Sequence, residues 1–117
     1  MNDLINESNF RANWALLNQR IEEACEKCGR LAKDVRILPI TKTFPVGAAE
    51  YAFRAKCLAV GENRVQEALV KMEKASPLLQ WELVGHLQSN KVKLAAGCFA
   101  RIQSVDSLKL LRRLNVL

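Results

Sequence analysis

The sequence predicts an α/β fold in which a leading helix is followed by four strand–helix units. Three observations support this prediction. Apolar residues recur at helical spacing near the N-terminus, short apolar runs then alternate with helical segments, and polar residues or glycines follow the first three runs. Units repeating about every 20 to 25 residues imply a parallel sheet with right-handed crossovers. Because no linker or low-complexity tract interrupts the pattern, residues 1–117 are expected to form a single domain.

The leading helix is predicted from a single apolar stripe with spacings of three and four. The residues of this stripe are Phe10, Trp14, Leu17, Ile21, Cys25 and Cys28. Ser8 or Asn9 is expected to cap the start of the helix, and Gly29 suits the left-handed residue that ends it.

Four apolar runs of strand length follow, each with a helical segment after it. The predicted strands are residues 35–41, 57–61, 79–84 and 99–105, and the predicted helices are residues 48–55, 65–74, 88–96 and 107–113. Pro39 is a misfit in the first strand, because proline cannot donate to a sheet ladder. In the second helix of this series Val65, Leu69 and Met72 are expected to face inward, and Ser107 or Asp106 is expected to cap the last helix. An open doubly wound sheet and half of an eight-fold barrel would both produce this local pattern.

Composition excludes some classes of protein. Half of the residues are hydrophobic and 26% are charged, which is typical of a soluble globular domain, and no apolar run approaches membrane-spanning length. The polar, acidic N-terminus lacks the basic and apolar segments of a secretory signal, so we expect a cytoplasmic protein. With one histidine and a single Cys-x-x-Cys pair, the four cysteines predict reduced, mostly buried thiols and no metal site.

The net charge of +6 is concentrated in the C-terminal third of the chain. Residues 84–117 contain one acidic residue, Asp106, and six basic ones: Lys91, Lys93, Arg101, Lys109, Arg112 and Arg113. One interpretation is a basic module in which residues 91–113 bind nucleic acid or other phosphates, although only Phe99 is available there for stacking. The other interpretation is the solvated face of two helices, and we do not expect nucleic acid as a partner.

Polar residues follow the first three predicted strands at the edge where α/β folds bind ligands. Lys42 follows the first strand, Asn63 the second and His86 the third. Apolar neighbours would partly desolvate Lys42 and free its amine to attack a carbonyl, as in Schiff-base formation. Each residue also has a simpler explanation: a surface lysine, a helix cap, and a solvent-exposed imidazole. Nothing in the sequence indicates a hydrolytic triad.

Three linked motifs carry a resemblance to a known family. They are Ile40-Thr41-Lys42-Thr43 with Pro45, then the segment 61–67 (GENRVQE), then Trp81 with the segment 84–91 (VGHLQSNK). In this order and at these intervals they resemble the pyridoxal phosphate homeostasis proteins, as does Cys28-Gly29-Arg30. Two residues depart from the family pattern, Glu82 and Pro39.

The resemblance implies a fold similar to the barrel domain of alanine racemase, of which this chain would be the N-terminal half. It implies that Lys42 holds pyridoxal 5'-phosphate as a Schiff base, with Asn63 and His86 near the pocket. It further implies a protein that binds the cofactor and contributes to vitamin B6 homeostasis without catalysis. A racemase would need a second acid–base group, and we identify no catalytic residue in the sequence.

Two further expectations follow if this chain is half of a barrel. The family's phosphate contacts come from late loops, so binding to this chain would be weaker than to a full-length relative. The isolated chain would also self-associate, because unpaired strand edges and an uncovered core favour contact with another chain.

Overall fold

The computed structural model describes residues 6–117. The elements are α1 (Glu7–Cys28), α2 (Val46–Arg54), β1 (Ala59–Glu62), α3 (Val65–Lys74), β2 (Gln80–Leu83), α4 (Val92–Cys98), β3 (Arg101–Ile102) and α5 (Leu108–Asn115), with short 3₁₀ turns at Ala32–Asp34 and Ser89–Lys91. The described chain divides into two compact units, one ending at Leu38 and the other spanning residues 39–117. Whether residues 1–117 behave as a single domain stays a prediction.

The first unit is dominated by α1. The side chain of Asn6 caps the helix by accepting a hydrogen bond from the backbone amide of Asn9 at 2.8 Å, so the expected cap at Ser8 or Asn9 is wrong by two or three residues. Gly29 ends the helix at φ 73°, as predicted. Phe10 and Trp14 stack with ring centroids 5.8 Å apart.

The second unit contains a three-stranded parallel sheet in the order β1-β2-β3. A fourth parallel segment adjoins β1 through one isolated bridge between Ile40 and Gly61. The predicted α/β class is therefore confirmed, but the first predicted strand, residues 35–41, is reduced to this bridge. Pro39 explains part of the difference: it lacks an N–H, and its carbonyl accepts from Gly61 at 2.8 Å.

The register defines two faces of the sheet. Val60 pairs with Trp81 and Glu62 with Leu83, so these four buried side chains share one face. Lys71 of α3 reaches Glu62 on this face, which shows that α3 covers it.

The bounds of α3 agree with the prediction, but its inward face agrees only at Val65. The buried residues are Val65, Ala68 and Lys71, whereas Leu69 and Met72 are only half-buried. Val65 is therefore buried as predicted, while Ala68 and Lys71 take the buried positions that hydrophobicity alone assigns to Leu69 and Met72.

Candidate functional site

Lys42, Asn63 and His86 all lie just beyond the C-terminal ends of parallel segments. The bridge between Ile40 and Gly61 sets the first two at the same level, since each lies two residues after a bridge partner. His86 follows β2 by three residues. The structure thus places the three predicted residues at one edge of the sheet.

Lys42 lies in a turn at this edge, and its side chain is exposed. The expectation that apolar neighbours desolvate it is wrong for the described residues. The reason is its position: Lys42 lies two residues after Ile40, which forms the bridge to Gly61, and is exposed to solvent at the edge of the sheet. The amine is accessible to a ligand.

A buried charged network lies next to this turn, on the face covered by α3. The ammonium of Lys71 donates to the carboxylate Oε2 of Glu62 at 2.8 Å and to the carbonyl of Thr41 at 2.8 Å. The hydroxyl of Thr41 donates to the same Glu62 oxygen. Glu62 is fully buried, and among the described residues its Oε1 has no hydrogen-bond partner. Contact of Oε2 with Lys71 and Thr41 therefore offsets only part of the cost of burying this charge.

A second carboxylate extends the network to the other neighbour of Lys42. Oε2 of Glu67 accepts the backbone amide of Thr43 at 2.9 Å and lies 3.1 Å from the ammonium of Lys71. The Thr43 amide, followed by Lys71, lowers the pKa of Glu67, and both favour its ionised form. Thr43 has φ 66°, a left-handed conformation that β-branched residues rarely adopt.

The loops after β1 and β2 touch each other. A Cβ added to Gly85 would lie 2.2 Å from the carbonyl oxygen of Asn63 and 2.3 Å from its side-chain Oδ1, so only glycine fits there. The hydroxyl of Ser104 donates to the carbonyl of Gly85 and links this loop to the segment after β3.

His86 is more weakly held than the Thr41–Thr43 turn. Its Nδ1 lies 3.2 Å from Oδ2 of Asp106, and both side chains are well exposed, at 67% and 59%. Exposed pairs of this kind contribute little to stability.

A cleft of about 400 Å³ opens beside Asn63 and His86. The residues that line it are Asn63, Arg64, Val65, Gln66, His86, Gln88 and Lys91. Amide, imidazole and cationic groups in one cleft can bind an anionic, hydrogen-bonding ligand. Lys42 is not among the lining residues, so the structure brings Asn63 and His86 together in the cleft but leaves Lys42 at the neighbouring turn.

Glu62 and Glu82 are both buried, but they do not form a pair. Glu82 is in register with Gly61, which places it on the opposite face of the sheet from Glu62. Its Oε1 accepts from the side-chain amide of Gln103 at 2.7 Å.

The sequence analysis did not identify Lys71 or Ser104, and it quoted Glu67 only as the last residue of the segment 61–67 without giving it a role. A signal for Lys71 was present, since it lies three residues after Ala68 on the stripe that begins at Val65. A lysine at such a position is predicted to be exposed when hydrophobicity alone is considered, although it can be buried if carboxylates pair with its ammonium.

The remaining predictions concern cysteines, membrane segments and the basic C-terminal third. The four thiols are free; Cys25 and Cys57 are buried, whereas Cys28 is exposed, so the expected burial holds for only part of the set. Burial raises the pKa of Cys57 to about 11.

Within residues 6–117 no helix combines the length and hydrophobicity needed to cross a membrane. Phe99 is buried and is not available for stacking on a nucleic acid base.

Comparison with known proteins shows which proteins this chain is similar to. No protein-family model matches the chain. It is 39% identical over 110 residues to a pyridoxal phosphate homeostasis protein of Haemophilus influenzae, covering 92% of this chain and 46% of that protein. It is 36% identical over 107 residues to the protein of that name in Escherichia coli, covering 88% of this chain and 46% of the relative. The resemblance to the pyridoxal phosphate homeostasis proteins is confirmed.

Solved structures agree with the match to pyridoxal phosphate homeostasis proteins. PipY of Synechococcus elongatus, determined with pyridoxal phosphate bound, is 38% identical and superposes with a TM-score of 0.70 over 82% of this chain. A protein of unknown function from Bifidobacterium adolescentis is 32% identical, with a TM-score of 0.79 over 87% of this chain. In both cases, as with the curated pyridoxal phosphate homeostasis proteins above, the chain spans about half the length of the relative, 46%.

Proposed function

We propose that this chain binds pyridoxal 5'-phosphate and takes part in homeostasis of this cofactor in the cytoplasm. The observation that carries the proposal is the structure of PipY with pyridoxal phosphate bound, which is 38% identical to this chain. The relatives named pyridoxal phosphate homeostasis proteins support the same role. Their name also supports binding without turnover, so we assign no catalytic residue.

The residues at the sheet edge fit such a ligand. When bound, the cofactor supplies an aldehyde that condenses with a primary amine, and we propose that Lys42 holds it in this way as a Schiff base. Lys42 has an exposed side chain, whereas the Lys71 side chain is only 8% exposed and its amine contacts three acceptors. The difference supports reaction at Lys42 rather than Lys71.

The cleft suits the polar parts of the cofactor. Arg64 and Lys91 bring positive charge to the cleft, and Asn63 and His86 offer hydrogen-bonding groups for ring substituents. We propose that Asn63 and His86 contact the cofactor from this side.

A titration with pyridoxal 5'-phosphate tests this proposal. Imine formation changes the visible absorbance, and we expect that change in the wild type but not in Lys42→Ala. Lys93→Ala is the matched control, since Lys93 is an exposed lysine on α4. If Lys42→Ala titrates like the wild type, the cofactor is not held at Lys42.

We further propose that the parallel segments form half of a (β/α)₈ barrel and that the isolated chain self-associates through a second copy. In support, the two-residue strand β3 lies at the end of the sheet order, and α5 and the residues after it expose large apolar side chains. These are Leu108, Leu111, Val116 and Leu117. Exposed apolar surface and unpaired strand edges both favour association.

Light scattering coupled to chromatography tests the self-association. We expect a mass above the 13.2 kDa of one chain that rises with concentration. A sharp peak at the mass of one chain, with cooperative thermal unfolding, would show that the chain closes its core alone.

A further inference from the structure

Lys42 lies between two residues that are each held by the charged network of Glu62, Lys71 and Glu67, in which Glu62 and Lys71 are buried and Glu67 is partly exposed. On one side, Thr41 is 3% exposed, and both its hydroxyl and its carbonyl are engaged, by Glu62 and by Lys71. On the other side, the amide of Thr43 donates to Glu67 at 2.9 Å. Lys42 itself has an exposed side chain.

Backbone strain at Thr43 is an independent observation at the same place. A β-branched residue at φ 66° persists only where surrounding contacts hold it there. The hydrogen bond to Glu67 is such a contact, and it is charge-assisted because the amide and Lys71 lower the pKa of Glu67 and keep it ionised.

The three charged residues act as one unit. Lys71 lies 2.8 Å from Glu62 and 3.1 Å from Glu67, so its ammonium joins the carboxylate that holds Thr41 to the carboxylate that holds Thr43. Glu67 and Lys71 lie one turn apart on α3, whereas Glu62 ends β1. The network therefore ties the Lys42 turn to a strand and to a helix.

We propose that Glu62, Lys71 and Glu67 are positioning residues that hold the backbone of Lys42 in place for the cofactor. This inference rests on the proposed role of Lys42. The Lys42 side chain is exposed to solvent, while the charged network holds the backbone on both sides of it. Preorganised backbone lowers the ordering cost of binding, so loss of the network should weaken binding at Lys42 without removing any group that touches the cofactor.

Glu67→Ala is the most direct test. It removes the acceptor of the Thr43 amide and leaves Glu62 with Lys71. Hydrogen bonds to charged groups contribute enough for us to expect roughly tenfold weaker pyridoxal 5'-phosphate binding at Lys42. Glu67→Gln keeps a carbonyl oxygen able to accept the amide and should recover most of that loss. Glu73→Ala, an exposed glutamate on the same helix, should bind like the wild type.

Hydrogen exchange supplies a measurement that does not need the cofactor. The Thr43 amide should be protected in the wild type and in Glu67→Gln, and should exchange at least tenfold faster in Glu67→Ala. If the wild-type Thr43 amide exchanges like an unstructured peptide, the inference is overturned, whatever the variants do.

The two proposals fail in different ways. Absence of a wild-type adduct at Lys42 contradicts the proposed function. A wild-type adduct together with unchanged affinity in a cooperatively unfolding Glu67→Ala contradicts the positioning role alone.

Discussion

The turn that carries Lys42 and the loop that carries His86 lie at the same edge of the sheet but are held by different means. The Lys42 turn is anchored on the Thr41 side by the buried Glu62 and Lys71 and on the Thr43 side by the partly exposed Glu67, with Lys71 in contact with both carboxylates. The His86 loop is held by close packing of Gly85 on Asn63, by Ser104, and by an exposed pair with Asp106.

The two loops show two ways of holding residues in place at the binding edge of a sheet. Buried charges give strong, directional contacts, but a buried charge destabilises the fold once its partner is removed. Close backbone packing depends on space instead, so it responds to added volume rather than to lost charge. We therefore expect the two loops to respond to different substitutions.

The largest expected effect is on the Lys42 side. Lys71→Met keeps the approximate volume of the side chain but leaves the fully buried Glu62 without its cation. Removing one partner of a buried pair costs roughly 3–5 kcal/mol, and we expect a loss of this order in the free energy of unfolding by urea. Lys74→Met, on an exposed position of the same helix, should change stability by less than about 0.5 kcal/mol.

A double variant sharpens this prediction. Glu62→Leu combined with Lys71→Met leaves no unpaired charge in the pair and should recover part of the loss. If Lys71→Met alone is as stable as the wild type, the network is not the anchor that the distances indicate.

A smaller effect is expected on the His86 side. Gly85→Ala places a methyl group within 2.3 Å of Asn63 atoms, one of them a backbone oxygen, and should cost roughly 1–3 kcal/mol of unfolding free energy. Gly97→Ala is the control, because nothing lies within 4 Å of the added atom and the position is helical. It should stabilise the chain by roughly 0.5–1 kcal/mol. Equal stability of the two variants would mean that the loops after β1 and β2 are not in contact.

Some features of the molecule could be predicted from local sequence patterns, and others could not. Local signals were sufficient for the bounds of α3 and for the left-handed Gly29, and they narrowed the cap of α5 to two residues, of which Ser107 accepts from the amide of Leu110. Gly85 was singled out as part of a motif, although the contact that requires glycine involves a residue 22 positions earlier.

The network beneath Lys42 was beyond local reasoning. It joins residues from three segments, and burial of Lys71 is favourable only because Glu62 and Glu67 converge on it in space. The first strand was over-predicted for a related reason. An apolar run predicts burial, but the extent of pairing beside Pro39 depends on the neighbouring strand.

The proposal that Lys42 holds the cofactor is tested most directly by borohydride reduction in the presence of pyridoxal 5'-phosphate, followed by peptide mass mapping. Borohydride reduces the imine to a stable secondary amine, so the mass of each peptide reports which lysine reacted. We predict an adduct concentrated on Lys42, with Lys71 unlabelled because its ammonium is buried and saturated. A label spread evenly over the exposed lysines would contradict the account.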